Sequence, residues 1–203
     1  MTEPTPPVPT ELLAGCRSAH ARLDAALVGL TDEQARRPSR LPEWTVGHVL
    51  THLARNADSV VRRLEGARRG EIVPQYEGGV EGRNAELEAG AARSPAELRS
   101  DVRDANARCD EACAAAAPET WGRPIIGLDG VEQPATFMAF SRWREVEVHH
   151  VDLGLGYEPR DWPDELVRYW LPSLLAGLSE RAAAADLLAW TIGRGSPPEL
   201  RPW

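Results

Sequence analysis

Lysine is missing from this 203-residue chain, so every basic side chain apart from its five histidines is arginine. That usage, with abundant alanine, glycine and proline, is the mark of a high-GC coding sequence. Cysteine is scarce. Cys16, Cys109 and Cys113 are an odd set with no Cys-x-x-Cys spacing, which argues against a disulfide framework and against a zinc ribbon. Each falls in a segment that reads as ordinary helix core, Cys109 and Cys113 one turn apart on a shared face. No apolar run approaches the length of a membrane span, and the opening MTEPTPPVPTE has neither the basic nor the apolar region of a signal peptide. A Gly-rich phosphate loop, a Gly-x-Ser-x-Gly elbow and a His-Glu-x-x-His motif are all absent, which leaves nucleotide and serine-hydrolase readings without support. Positive charge is in deficit as well: the net charge of -8 and pI near 5.2 argue against nucleic acid or an anionic membrane as partner. The expectation is a soluble, cytoplasmic protein that handles small molecules.

What is present is helical periodicity. Leu12, Leu13, Cys16, Ala19, Leu23, Ala26 and Leu27 make one inward face of a helix running to about Val28, with Thr10 as its cap. Thr31 and Gln34 read as a capping box for a short turn of helix. Thr45 caps a long helix whose apolar stripe is Val46, Leu50, Leu53, Ala57, Val60 and Leu64. A helix over about 80–92 follows a glycine-rich connection. Ser94-Pro-Ala-Glu97 then starts another, with both a capping box and proline at the first position, running to about Ala117. TWGRPIIGLDGVEQ is the one extended-looking stretch and suits a short hairpin turning at Asp129-Gly130. The last long helix begins near Pro134. Four principal helices imply an all-α, up-down four-helix bundle, a fold that builds metal sites from side chains on facing helices.

That last helix carries a polar stripe, Arg142-x-x-Glu145-x-x-x-His149-x-x-Asp152. At 100° per residue Glu145, His149 and Asp152 fall in one narrow sector, extended by Met138, Ser141 and Arg142 and flanked by apolar residues. The sector is expected to face the interior, whereas Trp143, Glu147 and His150 read as the outer face. A glutamate and a histidine one turn apart are two ligands of a divalent ion; equally, Arg142 with Glu145 and His149 with Asp152 would make a salt-bridged core network. A further histidine on the helix after Thr45 favours the metal. His52 lies at the border of the apolar stripe, one turn before Asn56, and His48 lies further toward solvent.

The segments EWTVGHVLTHLARNADSVVRRLEGARRGE and REVEVHHVDLGLGY resemble the mycothiol-dependent maleylpyruvate isomerase family of the DinB-like superfamily. The resemblance covers most of residues 8–157 and resumes in ADLLAWTIGRGSPPELRPW. It implies a DinB-like bundle over 1–157 and a short, reduced C-terminal segment over 158–203, where only SERAAA stands in place of a small α/β insertion. It places the metal on His52, Glu145 and His149, with zinc as the expected ion, and it makes mycothiol the thiol cosubstrate. Arg194, in Trp190-x-x-Gly193-Arg194, becomes the partner of a substrate carboxylate, in competition with a simple role in ending the last helix. In the implied reaction a thiolate adds to a cis double bond, rotation follows, and elimination releases the trans isomer. Two other functions fit the same residues: a mycothiol S-transferase that keeps the thiol on an electrophile, and a non-catalytic metal-binding bundle.

Overall fold

The computed structural model describes residues 7–201; the first residues of the proline-rich leader, and the last two of the proline-rich end, lie outside them. The chain forms two compact units, Met1–Asp161 and Trp162–Trp203. The first contains α1 (Thr10–Ala26), α2 (Asp32–Arg36), α3 (Val46–Arg69), α4 (Gly79–Ala91), α5 (Pro95–Ala115), the strands β1 (Pro124–Ile126) and β2 (Glu132–Pro134), and α6 (Thr136–Asp152). The second contains α7 (Asp164–Ala176), α8 (Leu178–Arg181) and α9 (Ala184–Thr191). Among the described residues the fold is all-α apart from the β1–β2 hairpin, and no helix is long and apolar enough to cross a membrane.

Local chemistry explains where the helices begin. Thr31 with Gln34, Thr45 with His48, and Ser94 with Glu97 each form a reciprocal capping box, and Pro95 occupies the first turn of α5. Each box satisfies two backbone N–H groups that the first turn would otherwise leave without a partner. Thr10 does not act as a cap: it is the first helical residue of α1, behind Pro9, and makes no capping bond to the helix. Gly70 ends α3 in the left-handed conformation, φ 75°, which costs glycine little. The hairpin pairs Ile125 with Gln133 and turns through Gly130.

α1, α3, α5 and α6 make the bundle. α1 packs on α6 and α5, and α3 packs on α5, α6 and α4, so the consecutive long helices α1 and α3 lie diagonally across the bundle. Leu23, Leu50, Leu53, Leu98, Val102, Met138 and Val146 fill the space between them. Glycines permit close approaches between helices. A Cβ on Gly47 would stand 2.2 Å from the Ala91 carbonyl oxygen, and one on Gly15 would stand 2.6 Å from the Trp143 ring, so α4 and α6 come nearer to their neighbours than alanine would allow.

Gly15 also explains a departure from the expected register. Trp143 lies on the bare backbone of α1 instead of facing outward, and Glu147 and His150 are buried beside it, at 1% and 3% exposure. No residue of α6 is fully exposed. Of the sector expected to point into the core, Met138 and Arg142 are buried, whereas Ser141, Glu145, His149 and Asp152 are only half-buried.

In the second unit Leu166 and Leu187 are the buried apolar anchors. Arg201 ties the chain end back by donating to the Glu180 carbonyl oxygen from its side chain and to the Arg181 carbonyl oxygen from its backbone N–H.

Candidate metal centre

α3 and α6 bring His52, Glu145 and His149 together. Their ligand atoms all lie within 4.8 Å of one another. His52 Nε2 is 3.1 Å from Glu145 Oε2, and His149 Nε2 is 3.4 Å from the same oxygen. Donors around a tetrahedral zinc ion stand about 3.4 Å apart, given metal–ligand distances near 2.1 Å, so two nitrogens and one oxygen at this spacing fit such an ion. His149 Nδ1 is 2.8 Å from Asp152 Oδ2. That contact fixes the ring and directs Nε2 toward the cluster, the supporting arrangement usual for a ligand histidine.

The electrostatics suit a cation. Burial raises the Glu145 carboxyl, but hydrogen bonds from His149 and His52 outweigh it and hold the group well below the usual carboxylate range. Burial drives His52 down to about 4 against the opposing contact with Glu145, so this ring is a neutral nitrogen donor. Burial also opposes charge on His149, yet Asp152 and Glu145 together lift it to about 9. Two carboxylates facing one imidazole hold a positive charge, and a divalent ion at Nε2 meets the same demand.

The triad lies on a cavity of about 550 Å³, within the range of small-molecule sites. Phe137 and Ser141 of α6, Asn56 and Arg63 of α3, Tyr76, Arg83, Arg144 and the β1–β2 hairpin line the rest of it. Sequence reasoning missed most of this wall, although Asn56 and Arg63 recur on the face of α3 that carries His52, a signal the periodicity contained. His48 stays out of the triad: its Nδ1 completes the cap with Thr45, and its Nε2 is 3.6 Å from Glu88. His150 stacks on Tyr157 with ring centroids 4.0 Å apart. Glu147 accepts from Trp143 Nε1, Tyr157 Oη and Arg22. Arg194 belongs to the second unit, where it is exposed just beyond α9 and its guanidinium donates to the Gly193 carbonyl oxygen.

Arg142 pairs with neither Glu145 nor Asp152. It is 1% exposed and donates to His20 Nε2, the Leu53 carbonyl oxygen, Asn56 Oδ1 and Asn106 Oδ1 at 2.6–3.1 Å. The salt-bridged alternative therefore fails for Arg142, whose guanidinium joins α6 to α1, α3 and α5.

A second group, Cys16, His20 and Asp110, has metal-ligand proximity. Arg142 Nε donates to His20 Nε2, and His20 Nδ1 is 3.0 Å from Asp110, so both ring nitrogens are already engaged and a guanidinium occupies the place of a cation. Burial lowers the His20 pKa, with Arg142 adding to the effect and Asp110 opposing it. A histidine held neutral in the fold leaves the unfolded chain with more bound protons below its ordinary value of about 6.5, so its contribution to stability is lost as pH falls through that value. Chemical unfolding at pH 7 and pH 5.5 checks this: the native chain is expected to lose more stability between them than a His20→Gln variant. Equal losses would remove His20 from the account.

Residues 16–154 match the family model for the mycothiol maleylpyruvate isomerase N-terminal domain. Two solved structures match over 96% of this chain and 97% of theirs, each with a TM-score of 0.82 and 23% identity: a mycothiol-dependent maleylpyruvate isomerase and a histidine-to-alanine mutant described under the same name. At that identity the likeness establishes the fold. No curated protein sequence matches. With more than half the chain covered by the family model, and with the bundle it describes, this chain belongs to the mycothiol maleylpyruvate isomerase N-terminal domain family.

Proposed function

We propose that this protein is a metal-dependent isomerase that uses mycothiol to convert maleylpyruvate, or a close relative of it, from cis to trans. The observation that carries the reading is the meeting of His52, Glu145 and His149 on an open cavity in a chain of this family. Two nitrogens and one oxygen favour zinc and leave a coordination position for a further ligand. A cation held there supplies the charge that makes a thiol, ordinarily of pKa ~8.5, a stronger acid at neutral pH.

The protein's own residues bind and orient. His52 and His149 present their Nε2 atoms, Glu145 supplies the anionic oxygen, and Asp152 keeps the His149 ring in register through Nδ1. Thiolate addition to the substrate's double bond leaves a single bond about which the chain rotates, and elimination restores the double bond in the trans form. The C–S bond formed first is the one broken last, so the thiol returns and no oxidant or reductant is consumed. Arg194 is assigned to a substrate carboxylate, for which its planar fork is suited. The three cysteines are buried, which leaves the nucleophile to the cosubstrate.

Zinc-loaded protein supplied with mycothiol and maleylpyruvate tests the reading. Fumarylpyruvate is expected to form while total mycothiol stays constant. A variant lacking Cys16, Cys109 and Cys113 is expected to keep this activity in proportion to its folded fraction. Arg194→Ala is expected to lower kcat/KM about ten- to a hundredfold. Conversion of mycothiol into a stable conjugate would replace isomerisation with transfer, and thiol-free turnover by the cysteine-free variant would point to water as nucleophile.

A further inference from the structure

Beyond the triad the cavity is walled by arginine. Arg63, Arg83 and Arg144 line it against two carboxylates, Glu145 and Asp129, so a chain with net charge -8 turns an excess of positive charge toward this cavity, a local field that draws anions. Glu145 is engaged by the two histidines and by Arg144, whose Nη2 is 3.6 Å from its Oε1, and Asp129 Oδ1 accepts from the Val131 N–H at 3.0 Å. Arg83 lies over the Trp44 ring, 5.3 Å from its centroid, and donates to Asn84.

Arg63 is in a different position. It is only 6% exposed, yet among the described residues no carboxylate forms an ion pair with it. Its guanidinium donates to neutral oxygens: Nε to the Ser59 carbonyl at 3.2 Å, Nη2 to Ser59 Oγ at 3.4 Å, and Nη1 to the Ile126 carbonyl at 3.5 Å. These bonds are long for N–H donors and leave part of the guanidinium's donor capacity unused. Burial pulls its pKa down only to about 10, so the charge persists at neutral pH. A buried charge without a counter-ion is unfavourable.

Placement puts this charge in the cavity wall. Arg63 follows His52 by eleven positions, close to three full helical turns, so the two share a face of α3 with Asn56. Long side chains on a helix lean toward its N-terminus, and the bond from Arg63 Nε to the carbonyl one turn earlier shows that lean. The guanidinium thus sits in the wall of the cavity that holds the triad.

We propose that Arg63 is the counter-ion for a substrate carboxylate remote from the reacting double bond, which itself lies near the triad. The assignment of the reacting end rests on the isomerase reading, whereas the carboxylate seat does not depend on turnover.

Glutarate, a saturated diacid that cannot undergo the reaction, is the probe, and its diamide glutaramide is the neutral control. Calorimetric titration of the full chain, with and without zinc, is expected to show glutarate binding in both states and little binding of glutaramide. Arg63→Gln should weaken glutarate about ten- to a hundredfold, the loss of a charge-assisted contact, with zinc content unchanged. Should the glutamine variant fail to fold, Arg63→Lys keeps the charge and loses the fork, and a smaller loss confined to glutarate is expected. Glutarate affinity equal in the native chain and a folded variant would overturn the proposal, as would an equal loss for both probes. Absence of turnover with Arg63-dependent glutarate binding would remove the isomerase reading and leave the subsite standing; turnover with Arg63-independent binding would do the reverse.

Discussion

Replacing His149 with alanine is expected to abolish stoichiometric metal binding and to lower turnover by at least about a hundredfold, because it removes one of the three proposed ligands and the ring that Asp152 holds in place. Disturbing only the support should cost less: Asp152→Asn is expected to weaken metal affinity about 10- to 100-fold. Glu145→Ala and His52→Ala should resemble His149→Ala. His48→Ala and His150→Ala should keep the metal, since one ring belongs to a helix cap and the other to a stack on Tyr157. His150 is buried, so its removal should be felt in thermal stability. Elemental analysis of the purified variants decides the matter. Metal retained by His149→Ala and lost by His150→Ala would place the site on the other side of α6.

Substitution of Arg142 by methionine should destabilise the bundle more than any change in the metal triad. The guanidinium satisfies acceptors from His20, Leu53, Asn56 and Asn106, all beside buried side chains. Methionine fills similar space and leaves those acceptors without their donor. Breaking a buried polar network of this kind costs about 3–5 kcal/mol, which for a chain of this size lowers the melting temperature on the order of 10 °C. Denaturant unfolding and thermal melting should agree on the sign and rough size. A loss under about 1 kcal/mol would show that the four helices do not depend on this residue, and a metal-free but fully stable Arg142→Met would assign it to the site instead.

The two outcomes separate roles that share one helix. Arg142 and Glu145 are three residues apart, near enough on a helical projection to read as partners, yet one turns into the bundle and the other onto the cavity. Arg142 finds neutral acceptors on three other helices, while Glu145 finds two histidines. Projection assigns an angular sector but not the neighbour that occupies it. Where a helix is surrounded, as α6 is, adjacent sectors meet different helices and different dielectric surroundings.

Local sequence was sufficient for the capping boxes at Thr31, Thr45 and Ser94, for the Asp129-Gly130 turn, and for the all-α bundle itself, because each depends on contacts between residues a few positions apart or on a 3.6-residue apolar repeat. The same periodicity placed Glu145 and His149 in one sector, apart from Glu147 and His150, and put His52 on a second helix. Tertiary structure alone decided that Trp143, Glu147 and His150 are buried, since only the close passage of α1 at Gly15 encloses that side of α6. It also decided where Arg142 spends its hydrogen bonds, that α1 and α3 lie diagonally, and that Arg63, Arg83 and the hairpin wall the cavity beside the triad. The physical reason is common to all of these: helix geometry fixes the direction of a side chain about its own axis, whereas its burial, its charge partner and its access to a ligand depend on which other helix, loop or opening lies in that direction.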